Sequence, residues 1–332
     1  MKKIFILFLF APLVIHAQQT TTGNEDSLFI KSISDNIFLS QSCYNNLWHL
    51  TKKIGGRLAG SPQTYLAEQW GAEVLKNSGA SQVILQECMV PHWVRGGTDK
   101  TEIFFTDAVG KKQKMSLNVL ALGNSVGTGK KGIEAPLIRV NNFDELEKKK
   151  DEIKNKIVFY NCPFEQTYIQ TFDAYRHNAV YRGSGPSRAA KYGAFAVIIR
   201  SMTNGEDNDP HTGSLRYTDS IKKIPAVAVG LRDMEKMNEV LDKNIPVTAS
   251  MFTYGYFLND TIAHNVIGEL KGSRFPDEII TVGGHLDSWD VNEGAHDDGA
   301  GVVQTIEVLR ALVATGYKPE HTIRFVLFAN EE

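Results

Sequence analysis

The sequence lacks several features that would assign it to a specialised class of protein. Only three cysteines occur in 332 residues (Cys43, Cys88 and Cys162), far apart and without CxxC spacing, so a disulfide-dependent fold and a structural zinc site are both disfavoured. Neither sign of charge is in excess, since 36 Lys and Arg face 38 Asp and Glu, and no basic patch suggests nucleic-acid binding. An apolar fraction of 42% excludes a disordered chain. We expect a globular protein with buried thiols and at most one disulfide.

Long apolar runs are also missing, except at the N-terminus. Lys2 and Lys3 precede an apolar stretch over residues 4–15, and the small residue Ala17 follows it. This pattern predicts a secretory signal peptide over residues 1–17, which is too short for a stable membrane span. We therefore expect a secreted or periplasmic protein without a membrane span.

The pattern along the chain changes twice. Up to residue 78 it is mostly helical, apart from a loop rich in glycine and proline over residues 55–62, and short strands follow to about residue 121. From residue 135 to residue 241 strands alternate with helices, which predicts an α/β module.

The last stretch has the most regular pattern. Strands are predicted at residues 265–270 and 279–283, a helix at 301–313 and a continuous apolar strand at 322–329. A strand, a helix and a second strand in this order form a βαβ crossover, whose two strands are parallel.

Polar residues stand where these last elements end. His285 and Asp287 follow one strand, Asp297 precedes the helix, and Glu331 and Glu332 follow the final strand. Because ligands bind beyond the carboxyl ends of parallel strands, we expect these side chains to meet at one edge of the sheet. Imidazole and carboxylate donors suit zinc, and a second carboxylate beside the ligands suits a general base for metal-bound water. The set therefore predicts metal-assisted hydrolysis.

Each of these groups of polar residues, taken alone, has an ordinary structural explanation. An Asp-Asp-Gly sequence is typical of a turn or a helix cap, and a Glu-Glu pair is usually surface charge. Together they are harder to explain, because carboxylates that end an apolar strand are costly near a core unless they are paired or bind a metal. A serine-hydrolase reading of Ser184 and a nucleotide-binding reading of the glycines lack the required context.

Three motifs carry a resemblance to a known family. They are GGHLDSWD at residues 283–290, GAHDDGAG at 294–301 and NEE at 330–332, supported by GRLAGS at 56–61 and PHTG at 210–213. From about residue 30 to its end the chain resembles the M28 family of zinc peptidases. The resemblance implies an α/β fold with a mixed, mostly parallel sheet flanked by helices. It also implies peptidase segments at 18–120 and 256–332, separated by an inserted protease-associated (PA) domain at 121–255.

The resemblance also implies roles for the residues at the predicted sheet edge. His285 would bind one zinc ion, Glu332 would bind a second, and Asp297 would bridge the two. Glu331 would be the general base and Asp287 would orient His285. The peptide bond that follows Asp297 would be cis. The substrates would be dipeptides or short peptides, and a homodimer is possible.

Three further residues are weaker candidates for substrate contact. Trp289 and Asp290 adjoin the metal motif, although packing is the simpler role for the indole. His211 could approach the substrate from the inserted domain, or it could be a loop histidine held by local hydrogen bonds.

The resemblance further implies that each zinc takes one more protein ligand from further downstream than Glu332. We therefore expect this sequence to be the N-terminal part of a longer protein and to be inactive alone. Two other readings stay open, a glutaminyl cyclase-like zinc acyltransferase and a non-catalytic binding protein on the same fold.

The expectation that this sequence is part of a longer protein can be tested by measuring the mass of the intact protein. Intact protein recovered from its native source should weigh well above the 36.9 kDa of this chain, as measured by mass spectrometry. A mass that matches residues 18–332 would contradict the expectation and favour the binding-protein reading.

Overall fold

The computed structural model describes residues 22–332. The predicted signal peptide, residues 1–17, lies outside this range. Within it, seven α-helices form: α1 (Thr22–Leu39), α2 (Ser42–His49), α3 (Pro62–Asn77), α4 (Phe143–Lys148), α5 (Thr171–Lys191), α6 (Leu231–Leu241) and α7 (Ala300–Ala314). None of the helices in the described range is long and apolar enough to cross a membrane.

The same residues form fourteen strands. They are β1 (Gln82–Val90), β2 (Trp93–Val94), β3 (Lys100–Thr106), β4 (Lys112–Leu117), β5 (Val119–Ala121), β6 (Ile133–Val140), β7 (Ile157–Tyr160), β8 (Ala196–Arg200), β9 (Ala226–Val229), β10 (Val247–Phe252), β11 (Tyr256–Phe257), β12 (Thr261–Leu270), β13 (Phe275–His285) and β14 (His321–Phe328).

A four-stranded sheet positions the predicted site. Its order is β1-β12-β14-β13, in which β13 and β14 are parallel and the other two pairings are antiparallel. The helix α7 connects β13 to β14, so the predicted strand–helix–strand unit is confirmed. Helices α3 and α7 pack on the sheet through a buried cluster that includes Leu75, Ile306 and Phe325. The mixed α/β class is confirmed.

A second, separate sheet has eight strands. Its order is β4-β3-β10-β6-β7-β8-β9-β5, and the strands from β6 to β9 are parallel. Strands β7 and β9 are buried along their whole length, as expected for the centre of a sheet that is covered on both faces. Strands β3 and β4 precede residue 121 and join this sheet through β10, so it uses chain from both sides of the predicted start of the insertion.

Two local features differ from the expectations or refine them. In this region the sequence pattern predicts a helix only near residues 187–192, whereas α5 spans Thr171–Lys191 and contains Pro186. All three cysteines are free, Cys162 is buried, and Cys43 and Cys88 are partly exposed.

Candidate metal centre and adjoining cleft

The predicted site residues lie at one edge of the four-stranded sheet. His285 is the last residue of β13, Asp297 lies in an irregular turn (Ala295–Gly299) before α7, and Glu331 and Glu332 follow β14. Nε2 of His285 is 2.9 Å from Oδ1 of Asp297. Asp297, Glu331 and Glu332 line one cavity. Residues up to 47 positions apart in the sequence therefore share one site.

Asp287 connects the residues that follow β13 to those that follow β14. Its side chain is fully buried, and its carboxylate accepts hydrogen bonds from the backbone amides of Glu331 at 3.0 Å and Glu332 at 3.1 Å. Nδ1 of His285 lies 3.2 Å from the backbone oxygen of Asp287 and 3.4 Å from its Oδ1. Since both neighbours of Nδ1 are acceptors, Nδ1 carries a proton and Nε2 faces the cavity.

The start of α7 is attached to the end of β13 by a second aspartate. Asp298 accepts a hydrogen bond from the backbone amide of His285 at 3.1 Å and another from that of Gly301 at 3.0 Å. The peptide bond between Asp297 and Asp298 is cis, as the family resemblance implied. The side chain of Asp297 itself is 76% exposed, so it is available to a ligand.

The acidic surroundings change the proton affinity of two groups. Burial disfavours the charged imidazole, but the Asp287 carboxylate, with those of Asp297 and Asp298, outweighs it and raises the pKa of His285 to about 9. Burial, with the neighbouring negative charges of Asp297 and Asp287, raises the pKa of Glu332 to about 7. Such crowding of carboxylates favours a bound cation.

The imidazole and carboxylate donors are of the types that bind zinc, and one pair of them lies near the required spacing. Among residues 22–332, no group of three His, Cys, Asp or Glu side chains is gathered closely enough to hold a metal ion as it stands. Two donors on one tetrahedral zinc, each about 2.0–2.1 Å from it, lie about 3.3 Å apart. The 2.9 Å contact between His285 and Asp297 is only a few tenths of an ångström shorter than that. This one pair of donors is therefore close to the spacing that two ligands of the same zinc ion require.

A buried arginine holds the loop between β13 and α7. Arg57 is fully buried, and its guanidinium donates to the carbonyl oxygens of Leu286, Glu293 (3.0 Å) and Gly294 (3.1 Å). Burial lowers the pKa of Arg57 to about 10, although the negative charge of Asp287 favours its charged form. Arg57 stays cationic at neutral pH and offsets part of the acidic charge of the site.

A second arginine joins this loop to the eight-stranded sheet. Arg95 makes a bidentate ion pair with Asp290, at 2.8 and 2.9 Å, and donates to the carbonyl oxygen of Ala121 at 2.7 Å. Thr212 donates to the same carbonyl oxygen at 3.0 Å. Asp290, predicted as a substrate contact, is thus engaged in a link between the two parts of the molecule.

A cleft of about 1000 Å³ opens between the sheet edge and the eight-stranded sheet. Asp297, Glu331 and Glu332 lie on one wall, and residues 209–216 contribute to the other. Trp289 also lines the cleft and packs so closely on Gly123 that a Cβ there would lie 2.0 Å from the indole. The indole therefore packs on the backbone at Gly123 and also lines the cleft, and its contact with substrate stays a prediction.

His211 faces the same cleft from the far wall. Its backbone amide donates to the hydroxyl of Ser201 at 2.9 Å, and its ring meets Tyr175 edge-on, with the ring centroids 5.9 Å apart. Within the described part of the chain, its Nδ1 is buried without a hydrogen-bond partner. Burial and the nearby charge of Arg182 lower the pKa of His211. Burial therefore favours the neutral form of the His211 imidazole.

Sequence reasoning missed the three arginines at positions 57, 95 and 182. Arg57 lies inside the GRLAGS motif, and a guanidinium within a loop of glycines and small residues was the available signal. No local pattern marked Arg95 or Arg182, because their partners lie 195 and 30 residues away along the chain.

Loss of the Arg57 guanidinium should loosen the metal loop. Each buried carbonyl left without a donor costs about 1–3 kcal/mol, so Arg57→Met should lower the free energy of unfolding by at least about 2 kcal/mol. Amide hydrogen exchange over residues 286–294 should accelerate in this variant. Arg232→Met removes an exposed guanidinium that bonds one carbonyl and is the matched control. Unchanged exchange in Arg57→Met would contradict the role assigned to Arg57.

Comparisons with known proteins agree with this geometry. Residues 265–332 match the profile of peptidase family M28. The chain is 35% identical over 289 residues to carboxypeptidase Q of Homo sapiens and 34% identical to that of Xenopus laevis, covering 87% of this chain in both cases. It spans 58% of the length of each of these relatives.

Solved structures show the same fold. A peptidase M28 precursor from Shewanella amazonensis SB2B is 33% identical with a TM-score of 0.83, covering 93% of this chain and 67% of that one. BSAP, a zinc aminopeptidase from Bacillus subtilis, shares the fold at 20% identity with a TM-score of 0.58, covering 87% of this chain and 61% of that one. The motifs, the fold and these likenesses together establish that the chain belongs to peptidase family M28.

Proposed function

We propose that this protein is a secreted, zinc-dependent exopeptidase that hydrolyses dipeptides or short peptides. The observation that carries the proposal is that Asp297, Glu331 and Glu332 line one wall of a cleft and that Nε2 of His285 lies 2.9 Å from Asp297. The similarity to carboxypeptidase Q supports a peptidase that acts at a chain end.

Three side chains would hold the metal. His285 would bind one zinc ion, Glu332 would bind a second, and the exposed carboxylate of Asp297 would be shared between them. Zinc supplies Lewis-acid polarisation of the scissile carbonyl and lowers the pKa of water. Asp287 keeps the imidazole in its ligand orientation through Nδ1.

Glu331 is the proposed general base. Its side chain is exposed to the cleft, while Asp287 anchors its backbone amide at 3.0 Å. The carboxylate takes a proton from the attacking water as the water oxygen bonds to the carbonyl carbon. It then delivers that proton to the leaving nitrogen as the C–N bond breaks, which yields an acid and an amine. A fixed backbone with a free side chain suits this transfer.

Export and assembly are part of the same proposal. The predicted signal peptide at residues 1–17 would direct the chain to the periplasm or the medium. The mature protein would act on peptides there, with the PA-like insertion at 121–255 forming the far wall of the cleft. A homodimer remains a proposal from the family alone.

Replacement of the base should separate catalysis from metal binding. General bases contribute about 10²–10⁴-fold, so Glu331→Gln should lower kcat by that order while zinc content is unchanged. Dipeptide hydrolysis should be measured in the zinc-loaded protein isolated from its source. Chelation should abolish activity, and added zinc should restore it.

Glu293→Gln is the matched control, since Glu293 lies in the loop between β13 and α7, is exposed and pairs with Lys52. Its activity should equal that of the unaltered protein. Full activity in Glu331→Gln would overturn the assignment of the base. Conversion of N-terminal glutamine to pyroglutamate, without peptide hydrolysis, would instead favour the cyclase reading.

A further inference from the structure

Two pairs of lysines meet on the surface of the eight-stranded sheet. A cavity of about 450 Å³ opens there, and its lining residues differ from those of the cleft. Lys222 and Lys223 line this cavity together with the loop at residues 127–132. The last four residues of that loop form a turn closed by a backbone hydrogen bond of 3.2 Å, and Lys130 and Lys131 form its corner. Cations that are far apart in the sequence therefore lie around one cavity.

These lysines leave a local excess of positive charge. Among residues 22–332, none of the four takes part in an ion pair, whereas Lys114, Lys149 and Lys236 each pair with a carboxylate. Glu134 lines the same cavity, so four ammonium groups are opposed by one carboxylate of its lining. The whole chain, in contrast, has a formal charge of −2. A patch of this kind attracts an anionic partner.

Exposed apolar side chains adjoin the lysines. Both side chains of the short strand β11 are exposed, and the ammonium of Lys223 lies 5.4 Å from the ring centroid of Phe257. Five large side chains of this region are each between 39% and 48% exposed, namely Phe195, Tyr254, Tyr256, Phe257 and Leu258. Together with the four lysines they form the lysine–aromatic surface. A patch of exposed apolar side chains marks an interaction site.

Close packing holds the lysine–aromatic surface together. The amide of Thr128 donates to the carbonyl oxygen of Thr253 at 3.0 Å, and the hydroxyl of Thr128 accepts from the amide of Thr253 at 3.1 Å. Gly127 leaves the space for this contact, because a Cβ there would lie 2.9 Å from the same carbonyl oxygen. The ammonium of Lys223 also lies 5.6 Å from the ring centroid of Tyr217. The loop that carries one lysine pair is thereby fixed beside the exposed aromatic residues.

We propose that the lysine–aromatic surface binds the anionic headgroups of a phospholipid membrane. Lysine ammonium groups act as point charges and suit a layer of phosphates whose geometry is not fixed. Aromatic rings are enriched at the level of the headgroups, and an exposed leucine can be buried among the acyl chains. A single-stranded nucleic acid would be favoured by arginines that stack on bases, and none of the described residues lining the cavity is an arginine.

Vesicle sedimentation tests the proposal. The protein isolated from its source is mixed with vesicles of phosphatidylcholine, or of phosphatidylcholine and phosphatidylglycerol in equal parts. At 0.1 M salt it should bind the anionic vesicles at least about tenfold more tightly, since each lysine near such a surface contributes about fivefold. At 1 M salt the difference should disappear, because the Debye length falls from about 10 Å to about 3 Å. Equal binding to both vesicles at 0.1 M salt, or no binding to either, would overturn the proposal.

A double variant with a matched control locates the charge. Lys222→Gln with Lys223→Gln should weaken binding to the anionic vesicles by about tenfold to thirtyfold. Lys111→Gln with Lys112→Gln removes another adjacent, exposed pair outside the lysine–aromatic surface and should leave the affinity unchanged. All four side chains are exposed, so the fold should persist, as thermal unfolding would show. Equal losses in the two double variants would reject this surface as the binding site.

The apolar contribution separates a membrane from a soluble acidic partner. Leu258→Ser should weaken binding to the anionic vesicles by about tenfold, because a buried leucine contributes about that much. Val109→Ser, at an exposed position in the turn between β3 and β4, is the control and should have no effect. Unchanged affinity in Leu258→Ser, together with tighter binding to soluble polyglutamate than to vesicles, would overturn the membrane assignment in favour of an acidic polypeptide.

This inference stands apart from the proposed peptidase function. Lys222 and Lys223 line a different cavity from the cleft, so their double variant should hydrolyse dipeptides in solution at the rate of the unaltered protein. Vesicle binding by a protein that hydrolyses no peptide would keep the membrane surface and reject the peptidase. Hydrolysis by a protein that binds no vesicles would keep the peptidase and reject the membrane surface.

Discussion

The candidate site depends on one buried carboxylate. Asp287 has no exposed surface, yet it accepts the backbone amides of Glu331 and Glu332 and contacts the imidazole of His285. A buried charge of this kind is stable only when it is fully hydrogen-bonded and balanced by an opposite charge. The buried guanidinium of Arg57 supplies that balance and also holds the loop that follows Asp287. The ends of two strands are thereby locked into one unit.

The cleft exists because a second set of polar contacts joins the two sheets. Arg95 links Asp290 in the metal loop to the carbonyl oxygen of Ala121, and Thr212 donates to the same oxygen. The carbonyl oxygen of Thr212 in turn accepts from Arg182. A continuous chain of hydrogen bonds therefore runs from Asp290 in the metal loop to Arg182 on the far wall of the cleft. Such a network fixes the spacing across the cleft, which is what a site that positions a short peptide requires.

Sequence patterns predicted the elements whose signals are local. The βαβ unit was predictable because β14 is a continuous apolar run and α7 repeats apolar residues at helical spacing. The start of α5 was not, because its buried face includes Asn178, Gly185 and Pro186 rather than apolar residues alone. The pairing of β3 with β10 was also out of reach, since partners more than 140 residues apart leave no local trace.

The sequence by itself determined the chemistry of this protein: an imidazole and several carboxylates at strand ends, in motifs that identify family M28. Residue types and short spacings are properties of the local sequence, so they can be recognised without knowledge of the fold. Only the tertiary structure decided what surrounds them, namely the pairing of Arg57 with the metal loop, of Arg95 with Asp290, and of Arg182 with the carbonyl oxygen of Thr212. The reason is that burial and charge pairing depend on which distant segments pack together, and the backbone topology settles that.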